Sequence, residues 1–410
     1  MDIKDLDSNT ARRIIETVTH GNPPEYGFQY FTAGLDKFVN VLNDDYLASY
    51  IKEGGSAFKM VIGTYGSGKT HLLYILREKS WEYNYMASYI ELSPQSTPFS
   101  KLEEVYKAIA NNLMYTQTKE ELFSGYEKGI ESVIKRWYQQ KYLEETQRIS
   151  NEEAVREALI GYIKTQLNSY DSSSFKNAVA EAFLAILDKR DSDFENIIAW
   201  IKGENPPATI RKKYKIFEKI DKSTAFKMIR SLVQWTQDIG YSGLIVLMDE
   251  AEQKTSMSSQ QKNILLNNLR ELIDECGRTN FKHTMWYYAV PDELFLEGTT
   301  GVYQALNQRL ETVFDAEINP TGVKLRLAPI EGIDILTDIG NKLAEIYQIA
   351  YKHEFEKTKL SQTISNIAKR AHDERFGEVD EKRRFVQKMI VAFHKLKATG
   401  EVVTAEAVNM

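Results

Sequence analysis

The sequence predicts an α/β fold of three layers, in which a parallel sheet lies between helices and carries a helical insertion and a helical C-terminal region. Three observations predict it. An apolar β-type run at 58–62 enters the turn Gly63-Thr64-Tyr65-Gly66-Ser67-Gly68 and leaves through Lys69-Thr70-His71 as an amphipathic helix. A second strand pattern follows at 86–92, and the strand-helix-strand order implies parallel strands joined by a right-handed crossover. Apolar strands at 243–248, 284–290 and 323–328 then alternate with helical patterns, whereas 119–222 and 331 onward read as helix.

Composition narrows the class before any motif is considered. With 410 residues and 42% hydrophobic content, the chain is long enough for two or three domains with proper cores. A net charge of −6 excludes a generally basic nucleic-acid coat, while leaving a local basic patch open. The central apolar run 244–248 is far short of the roughly 20 residues that cross a bilayer, and the start Met1-Asp2-Ile3-Lys4 lacks signal-peptide character. The expectation is a cytoplasmic protein without a membrane partner. The single cysteine, Cys276, excludes an internal disulfide and a cysteine-based zinc site, and it continues the apolar stripe Leu265, Leu269, Leu272.

Residues 1–55 form an N-terminal helical segment. A helix at 11–18 stops at Gly21-Asn22-Pro23-Pro24, and a second runs over 35–51. Between them Tyr26, Phe28, Tyr30 and Phe31 either stack on a nucleotide base or pack into the core. Residues 56–118 are the first part of the core. Three glycines let backbone N–H groups curl around a phosphate, and the helix that follows adds its positive dipole end. Residues 63–71 (Gly63, Thr64, Tyr65, Gly66, Ser67, Gly68, Lys69, Thr70, His71) are therefore the candidate nucleotide-binding set, with Lys69 on the β/γ-phosphates and the Thr70 hydroxyl a ligand of Mg²⁺. A loop at 93–98 and a helix through 113 close this part.

Residues 119–222 are the insertion, broken at Ser172-Ser173-Ser174 and at Gly203-Glu204-Asn205-Pro206-Pro207. Its run Arg211-Lys212-Lys213-Tyr214-Lys215 is either a solvated helix face or a nucleic-acid contact. Residues 223–330 resume the core. The helix 225–238 has one apolar face, and the strand after it ends in Asp249-Glu250, which supplies the second half of a nucleotide-hydrolysing site. Asp249 would hold Mg²⁺ through water, and Glu250 would orient and polarise the attacking water. Residues 331–410 form a helical lid, with helices at 333–352, 360–370 and 381–397.

The Asp-Glu strand end, a further strand with a polar terminus, an arginine on the next segment and a helical lid resemble the AAA+ ATPases, in the branch that includes origin-recognition ATPases. A closer resemblance rests on Arg12-Arg13-Ile14-Ile15, Gly21-Asn22-Pro23-Pro24, the loop 63–70 and Ser93-Pro94-Gln95-Ser96-Thr97-Pro98. It continues through Trp200-Ile201-Lys202-Gly203-Glu204, Asp249-Glu250-Ala251-Glu252 and Tyr303-Gln304-Ala305-Leu306-Asn307-Gln308-Arg309-Leu310. These segments span nearly the whole chain and resemble the P-loop ATP-binding proteins of bacterial phage-exclusion (BREX) systems.

The resemblance implies ATP with Mg²⁺, hydrolysis, homo-oligomer formation and remodelling of DNA or of a defence-system partner such as a helicase. It implies that Arg309 is the arginine finger reaching a neighbouring subunit's γ-phosphate. It makes Arg383 the lid arginine called sensor 2, with Arg384 its rival. Where such ATPases place a Thr or Asn as sensor 1, this chain has Tyr287, Tyr288 and then Pro291-Asp292. Two alternatives stand beside remodelling: a nucleotide-gated scaffold with little hydrolysis, and a replication-type DNA loader, for whose appended winged-helix domain the chain leaves no room after its last core strand.

Overall fold

The computed structural model describes residues 3, 6–24, 26–64, 66–125, 127–249, 258–293, 301–327, 332–374 and 381–408. In chain order it has α1 Ser8–Thr19, α2 Asp36–Val41, β1 Ser56–Ile62, α3 Lys69–Glu82, β2 Met86–Glu91, α4 Leu102–Asn111 and β3 Leu113–Met114. The insertion contributes α5 Lys119–Ser124, α6 Ile130–Arg148, α7 Glu152–Gln166, α8 Ser173–Leu187, α9 Asp191–Ile201 and α10 Ala208–Lys213. There follow α11 Ala225–Asp238, β4 Leu244–Asp249, α12 Ser259–Gly277, β5 Thr284–Val290, α13 Gly301–Arg309 and β6 Lys324–Arg326. The chain closes with α14 Ile333–Tyr351, α15 Lys357–Glu374 and α16 Glu381–Thr399.

The six strands lie in the order β3-β2-β4-β5-β1-β6, all parallel except β3. Alternation along each strand sends residues to two cores. Phe58, Met60 and Ile62 join Met248, Trp286 and Tyr288 on one face, and Val61 joins Ile245, Leu247 and Tyr287 on the other. Burial on both faces accounts for the nearly continuous apolar character of these strands and gives the three layers. Register places Glu91 beside Asp249 and Ile62 beside Val290, so the carboxyl ends of the central strands share one edge, where ligands of open α/β sheets bind.

The first core also contains Ile134, Phe183 and Trp200, so the insertion packs on the sheet through the same apolar body as α4, α11 and α12. Trp137 of α6 lies 5.8 Å from Trp235 of α11, edge to face. The second core joins α1, α3 and the C-terminal helices through residues such as Ile14, Leu73, Leu343 and Phe393.

The basic run in the insertion is split, with Arg211 buried and Lys212, Lys213 and Lys215 exposed. Arg211 is 5% exposed and donates to the carbonyls of Pro206 and Glu218 at 3.0 and 2.6 Å, while Lys213 pairs with Asp193 at 2.5 Å. The guanidinium thus braces a loop, sharing Glu218 O with Trp200 Nε1 at 3.0 Å, and Arg211 is not placed to meet a phosphate, whereas Lys212 and Lys215 are exposed.

Two local differences from the sequence expectation have physical causes. In place of one α-helix over 35–51, the chain is α-helical to Val41 and π-helical over Leu42–Tyr50. The wider turn brings Tyr46 Oη within 2.8 Å of the buried Lys59 Nζ. The expected helix through 113 ends at Asn111, because Leu113 and Met114 pair antiparallel with Ser88 and Ala87. Among the described residues, no helix is long and apolar enough to cross a membrane.

Candidate functional site

The glycine-rich turn sits between β1 and α3 at the carboxyl edge of the sheet. Gly66 and Gly68 have φ of 75° and 98°, a left-handed region that L side chains avoid, and a Cβ on Gly63 would lie 2.3 Å from Ser67 Oγ. Gly68 caps α3 without a side-chain hydrogen bond, leaving the first N–H groups of the helix available to an anion. Lys69 is 8% exposed and folds back over the loop, with Nζ 2.8 Å from Gly63 O and 3.2 Å from Thr64 O. Phosphate oxygens would replace those carbonyls.

Asp249 ends β4 at 1% exposure. Its Oδ2 accepts a hydrogen bond from Thr70 Oγ1 at 2.6 Å and a second from Tyr89 Oη at 2.9 Å. Burial pushes the Tyr89 phenol well above its ordinary range, so it remains a neutral donor. A hydroxyl and a carboxylate already in contact are hard oxygen donors of the kind that, with nucleotide phosphates, suit Mg²⁺. The residues present thus fit the cation that the sequence motif implies.

These groups open into a cavity of about 470 Å³, within the usual range for small-ligand sites. Its charged lining is Lys69, Asp249, Lys382 and Arg383, three cations against one carboxylate among the described residues. Its apolar lining comes from the N-terminal segment and the lid, through Val18, Phe31, Leu35, Ile339 and Val386. Such a mixture suits a polyphosphate joined to an aromatic base.

The C-terminal helices are tied to this cavity at several points. Lys382 Nζ, at the start of α16, donates to Ser67 O at 2.9 Å, and Gln387 Nε2 donates to Thr19 O at 3.0 Å. Gly21, at φ 78°, allows the close approach, since a Cβ there would stand 3.0 Å from Arg383 Cδ and from Gln387 Nε2. Lys342 of α14 donates to Thr32 O at 2.7 Å. Thr32 Oγ1 in turn donates to Phe28 O at 2.9 Å and lies 2.7 Å from His71 Nε2. A hydroxyl has one proton to give, so His71 Nε2 carries the proton and donates to Thr32. Burial pushes the His71 pKa down to about 4, which keeps the ring neutral. Helix α14, the segment around Thr32 and α3 are thereby linked by one hydrogen-bond chain.

Of the residues singled out by sequence, Gly63, Thr64, Gly66, Ser67, Gly68, Lys69, Thr70, His71 and Asp249 are brought together here, and Arg383 lines the same cavity. Tyr65 and Glu250 lie outside the described residues. Arg384 is exposed and is not part of the lining. Of the aromatic cluster only Phe31 reaches the cavity; Phe28 packs in the core against His71 and Tyr74, at 5.7 and 5.9 Å between ring centroids. Tyr287 and Tyr288 are buried in the two cores, and no described β5 residue lines the cavity.

Arg309 does not reach the cavity of its own chain. Its guanidinium forks onto the Asp274 carboxylate of α12, with Nη2 to Oδ2 at 2.9 Å, and Nη1 donates to Ala305 O at 2.7 Å. Sequence reasoning missed Lys382 and Tyr89. Lys382 adjoins Arg383 in a basic run, where only the pitch of α16 decides which side chain meets the loop. Tyr89 shares a strand face with Glu91, a periodicity of two that marks it as a neighbour of the strand end.

A family model for the BREX system ATP-binding protein BrxC/D matches residues 6–410. No curated protein and no solved structure matches the chain.

Proposed function

The chain belongs to the BREX system ATP-binding protein family, and from that premise we propose that it binds ATP with Mg²⁺, hydrolyses it in an AAA+ type cycle, and remodels a defence partner or DNA. The observation that carries this reading is the Thr70–Asp249 hydrogen bond beside the folded-back Lys69, inside a cavity roofed by Lys382 and Arg383. Lys69 releases Gly63 O and Thr64 O to take the phosphates. The N–H groups of the turn and of α3 cradle them. Thr70 and Asp249 would hold Mg²⁺, which supplies neutralisation of phosphate charge when bound. Glu250 orients and polarises the attacking water, and Lys382 and Arg383 bring the lid onto the nucleotide. Val18, Phe31 and Ile339 pack on the base. Arg309 serves a neighbouring subunit of a homo-oligomer after leaving Asp274.

A second reading, the nucleotide-gated scaffold, is favoured by two observations: Arg309 is tied to Asp274, and no described residue of β5 lines the cavity. In that case the lid closes on ATP and holds a partner with little turnover.

The experiment is thermal unfolding with and without ATP and Mg²⁺. A ligand that binds only the folded state adds RT ln(1 + [L]/Kd), about 2.7 kcal/mol at a hundredfold excess over Kd. Lys69→Ala removes that shift. Undiminished binding by Lys69→Ala would refute the assignment of the phosphate site.

A further inference from the structure

Asp249 Oδ2 accepts two hydroxyl protons, and the two donors face different fates when a nucleotide arrives. Thr70 Oγ1 offers a lone pair to the cation while its proton stays directed at Oδ2, so this donor is also a ligand and moves with the metal. Tyr89 has no such competing task. Its phenol reaches Asp249 from β2, where Tyr89 lies opposite Leu247, two residues short of the Glu91–Asp249 pair. The long side chain spans that offset along the strand.

The ring has little freedom to swing. Tyr74 of α3 meets it edge to face at 5.1 Å and 63°. Tyr74 is in turn covered by the Arg77 guanidinium at 4.7 Å from its centroid and by Phe28 at 5.9 Å. Arg77 is 1% exposed, so this stack is anchored inside the protein. Beyond Tyr89 lies a separate polar cavity of about 300 Å³, shared with Arg77, Glu91 and Asn112. Tyr89 lines that cavity, and Asp249 does not.

We propose that Tyr89 is a positioning residue for the metal-holding carboxylate: it holds Asp249 Oδ2 with a donor that takes no part in metal ligation, and it shields Oδ2 from the water of the adjacent polar cavity. This rests on the assignment of Thr70 and Asp249 to Mg²⁺. Groups that hydrogen-bond a metal ligand orient it, and their loss typically costs about 10- to 100-fold in metal affinity or activity.

The test is Tyr89→Phe, which keeps the ring and its contact with Tyr74 but removes the donor. Thermal shift and fluorescent-nucleotide binding are measured at fixed ADP and at fixed ATP while Mg²⁺ is titrated, with EDTA as the metal-free limit. The expected result is a rise of about tenfold in half-saturating Mg²⁺, with unchanged metal-free nucleotide affinity and a lower midpoint without ligand, because a buried carboxylate loses one donor. A double-mutant cycle with Asp249→Ala gives the coupling: Tyr89→Phe adds nothing to Mg²⁺ dependence once the carboxylate is gone. An unshifted Mg²⁺ titration in Tyr89→Phe would overturn the proposal, as would a shift of the same size in the Asp249→Ala background. If the parent shows no Mg²⁺-dependent binding at all, the metal assignment itself fails, and Tyr89 has nothing to position.

Discussion

Removing the Lys382 ammonium is expected to weaken ATP more than ADP. The Nζ stands 2.9 Å from Ser67 O, over the glycine-rich turn, and lines the cavity with Lys69 and Arg383. A unit charge about 4 Å from a phosphate oxygen is worth ~4 kcal/mol at an effective dielectric of about 20. Lys382 is half-buried, so solvent screening reduces that to about 2 kcal/mol, and the hydrogen bond to Ser67, worth ~1 kcal/mol, is given up on binding. The net loss for Lys382→Ala is then about 1 to 1.5 kcal/mol, or roughly tenfold in Kd. Displacement of a fluorescent nucleotide by ATP and by ADP measures it in Lys382→Ala, Arg383→Ala and Arg384→Ala. The first two should lose ATP affinity, whereas Arg384→Ala should match the parent because Arg384 is exposed and does not line the cavity. Equal weakening by Arg384→Ala, or none by Lys382→Ala, would refute the placement of α16 over the phosphates.

Three further outcomes follow from the geometry. Lys59 is 1% exposed and donates to Tyr46 Oη, Pro320 O and Gly322 O at 2.8, 3.0 and 2.8 Å, and burial pulls its pKa down to about 7. The unfolded chain holds this proton more tightly, so the group's contribution is full at alkaline pH and is lost as pH falls toward 7, by up to about 1.4 kcal/mol per unit. Lys59→Met removes the Lys59 donor from Gly322 O, while Pro320 O keeps the Tyr46 hydroxyl, at a cost of about 1 to 3 kcal/mol, and denaturant titrations should show its deficit widening from pH 7 to pH 9; a pH-independent deficit contradicts this. Arg309→Ala should cost only ~0.2 to 1 kcal/mol of stability, because its pair with Asp274 is about a third exposed, yet lower hydrolysis on the order of a thousandfold. Mixing it with Lys69→Ala protein should restore part of the activity, and absence of rescue in an assembled oligomer refutes action in trans. Arg211→Met should destabilise by about 1 to 3 kcal/mol through the donors lost at Pro206 O and Glu218 O, the second of which keeps Trp200 Nε1, whereas Lys212→Glu with Lys215→Glu should leave stability within ~0.5 kcal/mol. The double variant is therefore the one with which to measure salt-dependent DNA binding.

The parts of the fold legible in the sequence are those written in local patterns. Five strands and the helix Ala225–Asp238 could be read because burial on both sheet faces demands long apolar runs and a one-sided stripe. The turn around Gly66 and Gly68 was legible because only glycine takes its backbone angles cheaply. The two-residue β3 carries no period of its own; it exists because Ala87 and Ser88 offer an open edge. The π-helix answers a partner distant in space, with Lys59 and the carbonyls of Pro320 and Gly322 gathering around Tyr46. The same holds at the site. Lys69, Thr70 and Asp249 belong to motifs, but which of three adjacent basic residues meets Ser67 depends on how α16 docks against Gly21. Arg211 looked like surface charge because its acceptors lie in a loop whose path the sequence does not display.

Whether this cavity turns over ATP is read from steady-state phosphate release with ATP and Mg²⁺, in the parent and in Glu250→Gln, alone and with proteins that co-purify from the native host. Turnover is expected in the parent, none in Glu250→Gln, and equal ATP binding by both. Equal turnover in the two proteins would contradict the role of Glu250, and ATP binding without turnover in the parent under every condition would replace the hydrolysing cycle with the nucleotide-gated scaffold.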